Sequence, residues 1–230
     1  MRKRLLIVID GPAGAGKSTV ARNLAKRLHY RYLDTGATYR VVALEAQERG
    51  VPVEMTAELG RLCGEIEIRF EDTEAGQRVY SNGRDVTEAI RTPEISMLAS
   101  RISQERVVRD ALVDLQRRLG GPGVVAEGRD MGLVVFPEAD IKFFLDADPR
   151  ERGRRRHQEL LGRGITVALP NVIEETTRRD SEDQNRAIAP LRTAPDAISI
   201  DSTRLTPAEV VERMIAEAET RAEGGEGGVL

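Results

Sequence analysis

The chain contains a single cysteine, Cys63, in 230 residues. One thiol excludes an internal disulfide and a zinc site built on several thiolates, and its expected role is a small buried apolar side chain. Lysine is nearly as scarce: Lys3, Lys17, Lys26 and Lys142 stand against 31 arginines. The guanidinium suits forked recognition of phosphate, so the bias fits a phosphate-handling protein, although genome composition produces the same skew. A dominant charge is missing as well. Lys+Arg 35 against Asp+Glu 38 leaves a net charge of −3, no global signal for nucleic acid or an anionic membrane. Long apolar runs are also absent. Arg2-Lys3-Arg4 followed by Leu5-Leu6-Ile7-Val8-Ile9 is shaped like a secretory signal, but the run stops at Asp10, short of the roughly 7–15 apolar residues a signal needs. Nothing approaches the ~18 residues of a membrane span, and the expectation is a cytoplasmic protein. No internal repeat is visible.

What is present is a globular composition, 40% apolar and 32% charged, long enough for one sizeable domain with an appendage or for two small ones. Leu5 to Ile9 is an uninterrupted β-prone run, suited to a strand buried on both faces. Further strands are expected at 30–33, 124–126, 141–145 and 197–200. Helices are expected at 18–28, 38–49, 103–119, 149–161, 170–185 and 206–221. Strands alternating with helices indicate an α/β fold with a mostly parallel sheet. Residues 55–90 break the rhythm. From Ile66 to Val86 apolar and polar residues alternate, with turn signals at Glu74-Ala75-Gly76 and Ser81-Asn82-Gly83, and 55–90 as a whole reads as a small antiparallel insertion. The tail, from Glu223 on, is glycine-rich, buries nothing and is expected to fray.

Gly11-Pro12-Ala13-Gly14-Ala15-Gly16-Lys17-Ser18 matches G-x-x-x-x-G-K-[ST] in full. It follows the first strand and opens a helix, which argues against a glycine-rich turn of some other kind. In such a loop, residues 11–18 with Thr19 surround the phosphates of a nucleotide with backbone N–H groups, aided by the positive end of the helix. Lys17 reaches the β- and γ-phosphates, and the Ser18 hydroxyl is a ligand for Mg²⁺. The loop therefore says nucleoside triphosphate without saying what is done with it. A GTPase would usually carry Asn-Lys-x-Asp, which does not occur, and a motor or AAA-type ATPase would be longer. A short chain with many scattered arginines looks like a kinase for a small phosphorylated acceptor, where each bridging arginine offsets repulsion between two bound phosphates.

Three further segments carry a resemblance. Leu33-Asp34-Thr35-Gly36-Ala37-Thr38-Tyr39-Arg40 follows the second strand, where loops of α/β sheets bind ligands. Gly128-Arg129-Asp130-Met131-Gly132-Leu133-Val134-Val135-Phe136-Pro137 follows a later strand, and residues 179–191 read R-D-S-E-D-Q-N-R-A-I-A-P-L. These match, in order, L-D-[ST]-G-A-x-Y-R, G-R-D-M-G-x-V-V-F-P and R-D-x-x-D-x-N-R-A-x-A-P-L, and from about residue 4 to 218 the chain resembles the bacterial cytidylate kinases. The resemblance implies a P-loop NTPase-type parallel sheet flanked by helices, with the antiparallel insertion in the monophosphate-binding region and a short helical lid. It implies Thr35, Arg109, Asp130 and Arg186 around cytosine, Ser100, Arg179 and Asp183 at the ribose, and Arg40 and Arg129 at the α-phosphate. The chemistry is consistent: a carboxylate such as Asp130 accepts from the N4 amine of cytosine but faces an acceptor in uracil. Thr35 stands where some members have serine, keeping the hydroxyl and adding a methyl. Arg179, Asp183 and Arg186 are spaced i, i+4 and i+7, one face of a helix if the helix spans them; without the resemblance, an exposed Asp–Arg pair would be the simpler reading.

Arg150, Arg152, Arg154, Arg155 and Arg156 form the densest charge run, opposed only by Glu151. A charge run is usually a solvated face and sometimes a nucleic-acid patch, but Arg152, Arg155 and Arg156 share a helical face and can converge on one ligand. In nucleoside monophosphate kinases this region is a mobile lid whose arginines close over the transferring phosphate, which points to Arg152 and Arg156 ahead of Arg154, with Gly162-Arg163-Gly164 as a flexible point. The organisation implied is one kinase domain, with a core at about 1–34, 103–150 and 166–222, a monophosphate-binding region at 35–102 and a lid at 151–165. Asp34 is assigned to the waters of the metal. His29 and His157 receive no role. The expected activity is transfer of a phosphoryl group from ATP, with Mg²⁺, to CMP or dCMP by a monomer that binds neither membrane nor nucleic acid. A broader UMP/CMP kinase, a P-loop kinase for another acceptor, and a nucleotide-dependent switch or RNA-binding protein remain the alternatives.

Overall fold

The computed structural model describes residues 3–73 and 76–224. In chain order the elements are β1 (Leu6–Asp10), α1 (Lys17–Leu28), β2 (Arg31–Asp34), α2 (Thr35–Glu48) and α3 (Thr56–Glu65). Then come β3 (Ile68–Thr73), β4 (Gly76–Ser81), β5 (Arg84–Asp85), α4 (Pro93–Ile102) and α5 (Arg106–Leu119). The chain finishes with β6 (Val124–Glu127), β7 (Ile141–Asp146), α6 (Pro149–Gly162), α7 (Leu169–Asn185), β8 (Ile198–Asp201) and α8 (Pro207–Gly224). Five strands form a parallel sheet in the order β2-β6-β1-β7-β8, and β3-β4-β5 form a separate antiparallel sheet. The expected α/β class is therefore observed.

Two compact units divide the chain, residues up to 33 with those from 120 onward, and residues 34–119. In the first, β1 is central and apolar throughout until Asp10, as a strand covered on both faces requires. Its Ile7 and Ile9 pack with Val20 and Leu24 of α1, Phe143 and Leu145 of β7, and Val210 and Met214 of α8, all nearly inaccessible. In the second unit, Val41, Val42 and Ala46 of α2 pack with Leu59 and Leu62 of α3, Ile95 and Ile102 of α4, and Val108 and Leu112 of α5. Cys63 is half-buried beside this core, and burial pushes its thiol up to about 11, so it behaves as the small apolar side chain expected.

Four expectations about elements need correction. The segment after β2 is not a loop: α2 starts at Thr35 rather than 38, because the Asp34 carboxylate accepts the Ala37 N–H (3.0 Å) and caps the helix directly. Residues 55–90 are not antiparallel throughout, since α3 precedes the sheet, with Leu59 and Leu62 on its inner face. The hairpin itself stands where expected. Asn82 (φ 48°) and Gly83 (φ 80°) are both left-handed, the geometry that Asn-Gly favours between β4 and β5; of the earlier turn signal, Glu74 and Ala75 lie outside the described residues. The helix expected at 103–119 is preceded by a separate one, α4, opened by the Thr92 hydroxyl accepting from Ile95 N–H (3.2 Å) with Pro93 in the first turn. Finally, α8 continues through Glu223 to Gly224, later than the expected start of the frayed tail, whose residues 225–230 lie outside the described ones.

Candidate active site

The phosphate loop spans the end of β1 to the start of α1. Gly14 has φ +72°, and a Cβ there would lie 2.5 Å from the backbone oxygen of Arg152, so the loop turns tightly against the first turns of α6. Lys17 is 6% exposed and donates to the Pro12 carbonyl (2.7 Å). Burial lowers its ammonium to about 7, repulsion from Arg129 adds to this, and Glu127, Asp183 and Asp10 oppose it. Ser18 follows in the first turn of α1, half-buried, and Thr19 is exposed.

Asp10, which sequence reasoning left without a role, ends β1. Its two oxygens accept the N–H groups of Met131 and Gly132 (both 2.8 Å), fixing the segment after Asp130. Burial dominates those hydrogen bonds and pushes its carboxyl up to about 6. A carboxylate closing an otherwise apolar strand was the available signal. Beside it, Glu127 at the end of β6 is buried and accepts from the Tyr32 hydroxyl (2.7 Å).

The same unit holds a cationic cluster around one carboxylate. Arg129 Nε donates to Asp183 Oδ2 (3.0 Å), and Arg186 Nη1 lies 3.6 Å from Asp183 Oδ1. Burial alone would raise the Asp183 carboxyl, but Arg129 and Arg186 outweigh it and hold it below the ordinary carboxylate range. Arg179, one turn before Asp183 on α7, has its guanidinium pKa lowered by burial and by Arg129, and its buried Nε has no hydrogen-bond partner. The expected common helical face stops short of Arg186. The helix ends at Asn185 and Arg186 is extended (φ −62°, ψ 143°); the Leu191 N–H folds back onto the Asp183 carbonyl (2.8 Å) and brings the segment round. Asp130 is 3% exposed, just ahead of the turn at Met131–Val135.

The arginine run of α6 separates by burial. The Arg152 side chain is 7% exposed: Nε donates to the Ala147 carbonyl (2.9 Å), Nη1 to the Ala13 carbonyl (3.1 Å), and the guanidinium pairs with Asp180. Arg155 reaches Ser202 (Nη1 to Oγ, 3.0 Å), while Arg156 pairs with Glu159 (2.9 Å) and is 22% exposed. Arg154 is 61% exposed and pairs with Glu151. His157 Nε2 lies 2.9 Å from the Val167 carbonyl, and His29 is the left-handed residue after α1.

In the second unit, Thr35 and Arg109 are buried. Gln116 Nε2 donates to Thr38 Oγ1 (2.9 Å), and the Thr35 carbonyl accepts from Thr38 Oγ1 (2.7 Å). Arg109 donates to the Ser103 carbonyl (3.2 Å) and stacks over the Tyr39 ring at 5.8 Å. Arg40 pairs with Asp34 Oδ2 (2.7 Å) while its buried Nε lacks a hydrogen-bond partner, and Ser100 is half-buried on α4. Both Asp34 oxygens thus serve α2.

A metal has few protein ligands to draw on: among the described residues no three His, Cys, Asp or Glu side chains cluster suitably. The Ser18 hydroxyl at the loop fits Mg²⁺ that arrives on nucleotide phosphates, since that ion keeps waters and phosphate oxygens as most of its ligands. Among the described residues no helix is long and apolar enough to cross a membrane.

The family model for cytidylate kinase matches residues 7–220. A cytidylate kinase of Geobacter sulfurreducens is 52% identical over 93% of this chain and 92% of its own length. One from Syntrophotalea carbinolica is 50% identical over 94% and 92%. A gluconokinase structure from Sinorhizobium meliloti superposes with a TM-score of 0.50 at 14% identity, covering 97% of each chain, which speaks to the fold alone. With its phosphate loop, its arginine-ringed Asp183 and this coverage, the chain belongs to the cytidylate kinase family.

Proposed function

We propose that this protein transfers the γ-phosphoryl group of ATP to CMP or dCMP, giving ADP and CDP or dCDP. The observation that carries the reading is the gathering of Lys17, Arg129, Arg179 and Arg186 around Asp183 in a chain of net charge −3. Such local cationic excess suits a triphosphate and a monophosphate substrate that otherwise repel each other. An acceptor phosphate oxygen attacks the γ-phosphorus, the bond to the β–γ bridging oxygen breaks, and ADP departs. The acceptor is already ionised at pH 7, so no strong general base is needed and positioning with charge stabilisation carries the rate. Lys17 serves the β- and γ-phosphates, and residues 11–19 hold the triphosphate. Arg129 and Arg40 hold the acceptor phosphate. Arg152 and Arg156 are assigned to the transferring group; the burial of Arg152 against the loop supports its share. Ser18 would hold Mg²⁺, which when bound neutralises charge on the β- and γ-phosphates. Asp34 has the least support as a holder of metal-bound water, because both its oxygens already serve α2.

Thr35, Arg109, Asp130 and Arg186 are assigned to the base, and Ser100, Arg179 and Asp183 to the ribose. The buried carboxylate of Asp130 is the base reader: it accepts from the cytosine N4 amine and is repelled by uracil O4. That difference is worth roughly 10²–10³ in kcat/KM. Asp130→Asn is expected to lower activity on CMP far more than on UMP. Steady-state kinetics with both monophosphates test this, and an unchanged CMP:UMP ratio in the variant removes Asp130 from base reading. A wild-type enzyme that phosphorylates shikimate or AMP in preference to CMP would overturn the whole reading.

A further inference from the structure

Asp180 stands between the two α7 residues assigned to the ribose, yet it faces the phosphate loop. It is 6% exposed. Its Oδ1 accepts the Ala13 N–H of the phosphate loop (3.1 Å), across 167 residues of sequence, and its Oδ2 accepts from Arg152. Arg152 in turn donates to the Ala13 carbonyl (3.1 Å) and to the Ala147 carbonyl (2.9 Å). One buried ion pair therefore holds both the N–H and the C=O of the same loop residue, and ties α6 and α7 to the loop at one point.

We propose that Asp180 is a positioning residue for phosphoryl transfer, setting the conformation of the phosphate loop through Ala13 and the orientation of Arg152 through its ion pair. The proposal rests on the kinase reading above. A bare carboxylate beside a triphosphate would repel it; neutralised by Arg152, Asp180 adds no net charge to the site. What it contributes is preorganisation. A loop of glycines and alanines has little side-chain packing to hold its backbone N–H groups in the array that receives phosphates, and a pin at Ala13 removes that freedom before the nucleotide arrives. The same pin fixes the guanidinium plane of Arg152, whose other carboxylate neighbour, Asp146 Oδ1, lies farther off at 3.5 Å from Nε. Because α7 also carries Arg179 and Asp183, the helix assigned to the acceptor is the one that shapes the donor loop.

Three variants of the full chain separate the two functions of the carboxylate. Asp180→Asn keeps an oxygen for the Ala13 N–H and loses the anion facing Arg152. Asp180→Glu keeps the anion, so that Arg152 stays neutralised and the fold is retained, but displaces it by a methylene. Asp180→Ala loses both contacts. Titration calorimetry with ATP alone should give a dissociation constant near wild type for Asn and about tenfold weaker for Ala, the loss of one charge-assisted hydrogen bond. With ATP and CMP, kcat should fall about tenfold or more in Asn and Glu, with KM for CMP unchanged. A lower melting temperature with wild-type kcat per folded molecule would show a purely structural ion pair and overturn the proposal. Tighter ATP binding in any variant would also overturn it, marking Asp180 as a restraint against nucleotide. If the wild type binds ATP but does not phosphorylate CMP, the kinase reading fails by itself, and the pin then stands or falls on the ATP affinity of Asp180→Ala.

Discussion

Lys17 shows most clearly how a single residue is tuned by its surroundings. Its ammonium is held near neutrality first by burial and then by Arg129, and these outweigh the nearby carboxylates. In the proposed reaction the protonated form is the one that serves the phosphates, so raising the pH through about 7 discharges Lys17 in the free enzyme. The expected outcome is a kcat/KM for ATP that declines above pH 7, while kcat holds to higher pH because bound phosphates favour the charged amine. Lys17→Ala should lower kcat by roughly a hundredfold or more; a pH profile on the wild type and turnover of the variant check both. Arg129 and Arg154 make a paired case. Arg129 is half-buried on Asp183, whereas Arg154 is solvent-facing. Arg129→Ala should damage CMP phosphorylation severely, since it strips a forked donor from an anion, and Arg154→Ala should leave it near wild type. Equal loss in both would mean that burial does not sort these arginines by role.

At the scale of elements, the contact between α6 and α7 depends on Gly153. A Cβ at that position would lie 2.5 Å from Ile173 Cγ1 and 3.0 Å from Ile173 Cα. Two effects oppose each other in Gly153→Ala: alanine gains about 1 kcal/mol of helix propensity, and overpacking costs about 1–3 kcal/mol. The strain should win, because one of the crowded atoms is backbone and the other belongs to a side chain stiff at χ1. A net loss of about 1–2 kcal/mol is expected from denaturant unfolding; a stabilised variant would show that α6 and α7 can separate freely. Not every boundary of these elements could be read from local patterns. The start of α2 was hidden because Asp34-Thr35-Gly36 looks like a turn, and only the capping hydrogen bond shows it as a helix entry. Helix α4 had its signal in Thr92-Pro93-Glu94, a cap followed by proline, next to a segment already taken as an antiparallel insertion.

For the whole molecule, the contrast lies between a near-balanced total charge and its uneven placement. With cations concentrated in the first unit beside the loop and, among the described residues, no group of three His, Cys, Asp or Glu side chains that could hold an ion, Mg²⁺ should matter to the reaction and little to the fold. Removing it with a chelator is expected to abolish phosphoryl transfer while leaving the melting temperature unchanged; a large fall in that temperature would reveal a structural metal instead.

The phosphate loop, the alternating α/β elements and the Asn82-Gly83 turn were legible in the sequence because each depends on neighbours a few residues away. Glycine, lysine and serine at fixed spacing dictate their own local backbone, and apolar runs of five residues dictate a buried strand. Which arginines are buried was not legible from charge and spacing alone, although the resemblance put Arg152 ahead of Arg154. Arg152 and Arg154 are two residues apart in the same run, yet one side chain is 7% exposed and the other 61%. Asp180 and Asp183 lie on one helix, yet one accepts from Ala13 of the phosphate loop and the other from Arg129. Those placements were decided by tertiary structure, because a charge is buried only where a partner arrives to compensate it, and here the partners come from segments far away in the chain.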